Sequence, residues 1–147
     1  MTWISEDCIH ANVYVNSWRD AIRYAGQLLV DASAAEPRYV EAMIKTCEEL
    51  GAYIVIAPGI SLPHARPEDG ALKNGFAAIT LSSPVNFGHP DNDPVSIVVA
   101  FSAVDSTSHL ESLSILAKLL SRNGFLESAT NAQDDEALIR IFTNKAE

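Results

Sequence analysis

Apolar positions along this chain change period several times, and each change marks an element. Ile9 to Val15 alternates well enough for a strand, which Asn16 and Ser17 end. Trp18, Ile22, Ala25 and Leu29 then recur at helical spacing, with Ser17 placed to cap the helix and Asp20 standing in for the usual capping-box glutamate. Asp31 to Glu36 is a polar break. Pro37 suits the first turn of a second helix, whose Tyr39, Val40, Met43, Ile44, Cys47 and Leu50 make an apolar face that stops at Gly51. Tyr53 to Ala57 is apolar throughout and reads as a buried strand, Phe76 to Leu81 as another, and Val95 to Ala103 as the strongest strand and the centre of a sheet. A helix follows with Leu110, Leu113, Leu116, Ala117 and Leu120 inward, and Asp134 caps a last one with Leu138, Ile141 and Phe142 inward. Met1 to Asp7 shows no strong pattern, Ala71 to Asn74 is too short for an element, and Arg122 to Gln133 reads as loop with a turn of helix.

The pattern fails most visibly from Ala57 to Gly70, where Pro58, Pro63 and Pro67 each fix φ and remove a backbone donor. This is a stiff loop carrying one histidine, His64, just beyond the carboxyl end of a strand, where α/β sheets usually place their chemistry. Arg66 adds a guanidinium whose fork of donors matches phosphate or carboxylate oxygens. A second turn-rich segment, Ser82 to Pro94, holds His89 between Gly88 and Pro90, and that setting marks it as a turn residue.

The third histidine of interest opens a helix. Asp105 to Ser108 ends the strongest strand, and Ser108 with Glu111 forms a capping box that puts His109 in the first turn. Free amides and the helix's partial positive charge favour an anion there. Arg66 and Ser108 are accordingly the candidate phosphate-binding residues, beside His64 and His109 as candidate catalytic ones.

Composition narrows the chemistry. At 147 residues and 48% hydrophobic content the chain fits one domain over 1–147. With 19 acidic against 10 basic residues the net charge is -9, which argues against nucleic acid as a partner. No apolar run spans a bilayer and no basic-then-apolar leader is visible, so neither membrane insertion nor export is expected and the protein is placed in the cytoplasm. Cys8 and Cys47 are too few and too isolated for a disulfide framework or a paired-cysteine zinc site. No Gly-rich nucleotide loop, acidic metal cage or other cofactor motif is present. A metal site on His64, His89 and His109 would lack acidic or thiolate ligands at characteristic spacing. Two imidazoles and a guanidinium at strand ends remain, and neutral imidazole is a competent nucleophile toward phosphorus.

Three segments carry a resemblance: Ile-Ala-Pro-Gly-Ile-Ser-Leu-Pro-His-Ala-Arg-Pro-Glu around His64, Pro-Val-Asn-Phe-Gly at Pro84 to Gly88, and Asp-Ser-Thr-Ser-His-Leu-Glu at Asp105 to Glu111. In order and over nearly the whole chain, they resemble enzyme IIA of the bacterial phosphoenolpyruvate-dependent sugar phosphotransferase system, fructose/mannitol-type superfamily, and most of all its ascorbate branch. The resemblance implies a three-layer α/β/α sandwich with a mixed central sheet. It also implies that His64 accepts a phosphoryl group from the histidine-containing phosphocarrier protein and passes it to a cysteine of enzyme IIB, and through it to the membrane enzyme IIC. His109 would orient the phosphohistidine. Some relatives carry an active-site arginine where this chain has Lys45 to Glu48, so either Arg66 supplies that charge or backbone amides hold the phosphate. Regulation of partner proteins by phosphorylation state stands as the alternative to uptake.

Overall fold

The computed structural model describes residues 5–143, so the first four residues of the patternless opening lie outside it. Among these, the strands are β1 (Ile9–Val13), β2 (Val55–Ala57), β3 (Ile60–Ser61), β4 (Gly75–Val85) and β5 (Val95–Ser102). The helices are α1 (Trp18–Asp31), α2 (Pro37–Leu50), α3 (Ser106–Leu120), α4 (Phe125–Asn131) and α5 (Asp135–Thr143). The sheet runs β1-β4-β5-β3-β2. It is mixed: β1 with β4 and β3 with β5 are parallel, β4 with β5 and β2 with β3 antiparallel.

β5 is central and apolar on both faces, and its period-2 alternation sorts the core into two halves. Val98 and Ala100 face α1 and α2, packing with Ile22, Leu29, Tyr39 and Met43. Ile97, Val99 and Phe101 face α3, α4 and α5, packing with Leu116, Phe125, Leu138 and Phe142. The result is the expected three-layer α/β/α sandwich. Ser17 caps α1 as expected, its Oγ accepting from the Asp20 N–H at 3.2 Å, but the Asp20 carboxylate pairs with Arg23. α1 and α2 meet at Gly26, where a Cβ would lie 2.8 Å from a Val40 methyl, so only glycine allows this approach. No helix among the described residues is long and apolar enough to cross a membrane.

Several sequence expectations are corrected. The first strand stops at Val13 because Asn12 has φ 58, the left-handed region, and the register with β4 shifts there. Tyr53 to Ala57 is not a buried strand: it is a turn and the three-residue edge strand β2, with Tyr53 and Ile56 each 44% exposed. An edge strand has one neighbour and covers only part of its surface, so apolar composition there does not mean burial. Part of the supposed loop is strand instead, because Gly59, at φ 77, lets the chain fold back from β2 into β3. β4 runs on to Val85 into the segment read as loop, and α4 occupies most of the Arg122 to Gln133 stretch. Leu50 and Leu110, expected inward, are 68% and 67% exposed, and Ala117 is exposed as well. Leu50 is the last residue of α2, and Leu110 lies before α3 settles onto the sheet at Ser112 and Leu116.

Candidate functional site

β3 and β5 run parallel and separate at their carboxyl ends. The final rung joins the Phe101 N–H to the Pro63 carbonyl at 3.1 Å, and His64 is the next residue. Pro63 offers no N–H to continue the ladder, so the chain leaves the sheet at His64 for a local chemical reason. α3, which follows β5, brings His109 to the same place.

The two imidazoles meet edge-on with centroids 5.2 Å apart. Phe101 lies against both, stacked on His64 at 4.9 Å and tilted against His109 at 5.3 Å. The edge of Tyr53 closes another side of His64 at 6.0 Å. His64 Nδ1 lies 2.8 Å from the Leu62 carbonyl. A carbonyl only accepts, so Nδ1 carries the proton and donates, which leaves the lone pair on Nε2. Burial among these rings lowers the pKa of His64 below 6.5 and nearby His109 lowers it further, against the opposing pull of the Leu62 carbonyl. The ring is therefore neutral near pH 7, the nucleophilic form.

This shift has a sign that can be measured. The folded-state pKa is depressed, so the unfolded chain takes up the proton more readily, and His64 subtracts stability as pH falls from 6.5 through its folded value. The expected NMR titration midpoint of the His64 ring is below 6.5, with the free energy of urea unfolding declining over the same interval in wild type and less so in His64→Phe. A midpoint above that of free histidine would contradict the buried, neutral ring.

His109 sits differently from the expectation. α3 starts at Ser106 and its N-cap is Asp105, whose Oδ1 accepts from the Ser108 N–H at 2.7 Å, so the Ser108 and Glu111 capping box does not form. Asp105 also takes hydrogen bonds from the Ser108 hydroxyl and the Thr107 N–H, which hold its carboxyl below the usual range. An anion, the Asp105 carboxylate, thus already occupies the helix start that was expected to be open, and Ser108 is spent on it. His109 is the fourth helical residue, its N–H donating to the Asp105 carbonyl at 2.9 Å. Its Nδ1 is buried and has no hydrogen-bond partner among the described residues. A buried polar nitrogen left without a partner costs about 1–3 kcal/mol, a cost that a ligand contact would relieve.

The other predicted residues lie in different settings. Arg66 is exposed, two residues past His64, and its guanidinium enters no ion pair among the described residues; its own N–H donates to Asp69 Oδ2 at 3.0 Å. His89 is a turn residue as expected, Nδ1 accepting from the Asp91 and Asn92 N–H groups, in a loop that Asp93 folds by accepting from Phe87, Gly88 and His89. Phe101 was missed, because within β5 it looks like any other core residue. Neither His64 nor His109 lines the cavity of about 710 Å³ near the start of β1, bounded by Cys8, Asp31 and Lys73 among others. Both imidazoles are half-buried at the end of the sheet.

The family model described as phosphoenolpyruvate-dependent sugar phosphotransferase system, EIIA 2, matches residues 2–145. The ascorbate-specific PTS system EIIA component of Salmonella choleraesuis (strain SC-B67) is 45% identical over 103 residues, 70% of this chain and 67% of that protein. Among solved structures, the mannitol-specific cryptic phosphotransferase enzyme IIA CmtB from Escherichia coli is 32% identical with a TM-score of 0.86, covering 96% of this chain and 95% of that one. The nitrogen regulatory protein IIA-Ntr from Neisseria meningitidis is 26% identical, TM-score 0.76, covering 97% of each chain.

Proposed function

Because this chain belongs to the EIIA 2 family of the phosphoenolpyruvate-dependent sugar phosphotransferase system, we propose that it is a one-domain cytoplasmic phosphocarrier with a phosphohistidine intermediate at His64. Its donor is the histidine-containing phosphocarrier protein and its acceptor a cysteine of enzyme IIB, which serves the membrane enzyme IIC. The likeness to ascorbate-specific relatives makes ascorbate the proposed transported substrate.

One observation carries the reading: His64, held as the Nδ1–H tautomer by the Leu62 carbonyl, lies against a second imidazole that has an unpartnered buried nitrogen. The Nε2 lone pair attacks the phosphorus of the donor's phosphohistidine. The old P–N bond breaks, and its electron pair returns to the donor's imidazole. The Leu62 carbonyl then faces an Nδ1–H made more acidic by phosphorylation of the ring, so that hydrogen bond strengthens as charge develops. In the second half-reaction a thiolate of enzyme IIB attacks the same phosphorus and His64 leaves as neutral imidazole. His109 and the unpaired Arg66 supply donors to the phosphoryl oxygens in both directions, while Ser108 acts indirectly by seating Asp105 on the helix that carries His109.

The test is reconstitution. With phosphoenolpyruvate, enzyme I and the phosphocarrier, the protein should acquire one acid-labile, base-stable phosphoryl group, mapped by mass spectrometry to His64, and lose it on adding enzyme IIB. Absence of labelling, or labelling elsewhere, would end this reading. The likeness to the nitrogen regulatory protein favours a second reading, control of partner proteins by phosphorylation state. Labelling at His64 with no discharge to any enzyme IIB, together with a partner that binds only one phosphorylation state, would select it.

A further inference from the structure

We infer that Tyr39 is a positioning residue for phosphoryl transfer, its hydroxyl tying the peptide after His64 to the end of β5. The inference rests on the reading of His64 as the phosphorylated residue.

Tyr39, in the first turn of α2, is fully buried. A buried phenol needs hydrogen-bond partners, and the ones it has lie on both sides of the site. Its hydroxyl donates to the Phe101 carbonyl at 2.8 Å, with the Ala65 carbonyl a longer 3.3 Å away, and accepts from the Ala65 N–H at 3.1 Å. Burial pushes its pKa up to about 12, so the hydroxyl keeps its proton and remains both donor and acceptor.

The effect is to extend the β3 and β5 ladder past the point where the strands part. Phe101 grips the residue before His64 directly, through its N–H to the Pro63 carbonyl. It grips the residue after His64 indirectly, through its carbonyl, the Tyr39 hydroxyl and the Ala65 N–H. The ring of Phe101 meanwhile stacks on His64. The nucleophile is thus held at both flanking peptides by the residue that packs against its face, and the second hold depends on one oxygen atom. Helix α2 anchors that oxygen: the Glu36 N–H donates to the Gly70 carbonyl at 2.8 Å, and Arg38 Nη1 to the Glu68 carbonyl at 3.1 Å, which fastens the same helix end to the far side of the His64 loop.

Without the hydroxyl, the buried Ala65 N–H loses its acceptor and the loop must shift to find another. A nucleophile displaced by about 1 Å costs on the order of a hundredfold in rate. The experiment compares wild type, Tyr39→Phe and Met43→Leu, the last a core change on the same helix face that serves as the stability control. In single-turnover phosphorylation, Tyr39→Phe should be slowed about 10–100-fold at saturating donor, with the half-saturating donor concentration within about twofold of wild type. The NMR signal of the His64 Nδ1–H should broaden or shift. A wild-type rate in Tyr39→Phe, or a slowing matched by Met43→Leu at equal loss of stability, would overturn the inference. Should Tyr39→Phe not fold, trifluorotyrosine placed at position 39 keeps the shape but weakens the acceptor, and an unchanged rate there would overturn it equally. If wild type is never labelled on His64, the underlying reading fails; if it is and Tyr39→Phe matches it, only the role of Tyr39 does.

Discussion

His64→Ala should abolish phosphoryl acceptance, with labelling down at least about a thousandfold because no other group in the site replaces a lost covalent nucleophile. His109 is adjacent, but among the described residues its Nδ1 has no carbonyl to fix the tautomer as Leu62 does for His64, so its ring is not set up as the attacking group. The variant should remain folded. It gives up the stacking of the imidazole on Phe101, worth about 0.5–1.5 kcal/mol, and also removes a half-buried ring whose protonation the fold opposes. Intact-mass measurement after incubation with the phosphorylated donor reads the first outcome, and urea unfolding the second. Labelling near the wild-type level would move the site to another residue.

His109→Ala should leave the nucleophile in place and slow its chemistry. The expected loss is about 10²–10³-fold in at least one half-reaction, the range for deleting one donor aimed at developing charge. Gln keeps a donor at comparable reach, so His109→Gln should retain more activity than Ala. The Ala variant should also gain stability where the buried, unpartnered Nδ1 is removed, offset by the missing packing of the imidazole against the His64 and Phe101 rings. Rapid-quench measurement of both half-reactions separates the two directions of transfer. Rates equal to wild type in His109→Ala would take this residue out of the mechanism and leave Arg66 and the backbone to meet the phosphoryl oxygens.

The settings of the two histidines, one just past a strand and one in a first helical turn, were legible in the chain because each stands beside local signals that act over a few residues. Pro63 and Pro67 mark a rigid turn around His64, and Asp105 to Ser108 marks a helix start before His109. Which oxygen caps that helix was not legible. Asp105 and Ser108 are both good caps, and the choice depends on where β5 ends and how the chain leaves it, with the Val104 N–H held by Asn74 Oδ1 at 3.0 Å. The consequence for function is direct: choosing Asp105 fills the helix start with a carboxylate and removes it as an open phosphate site.

Elements whose burial repeats along the chain were already specified in the order of its residues. The cap and inner face of α1, the first-turn proline of α2, the apolar run from Ile97 to Phe101 in β5 and the inward Leu138 and Phe142 of α5 follow from period and local hydrogen bonding alone. Whatever depends on partners distant in the chain was settled by the folded arrangement. That arrangement made Tyr53 to Ala57 an edge, drew Ile60 and Ser61 out of an apparent loop onto β5, and turned Phe101 and Tyr39 from core residues into the wall and tether of His64. The reason is that periodicity reports whether a side chain is buried, whereas strand order and hydrogen-bond competition fix what it is buried against, and the surroundings of His64 belong to the second.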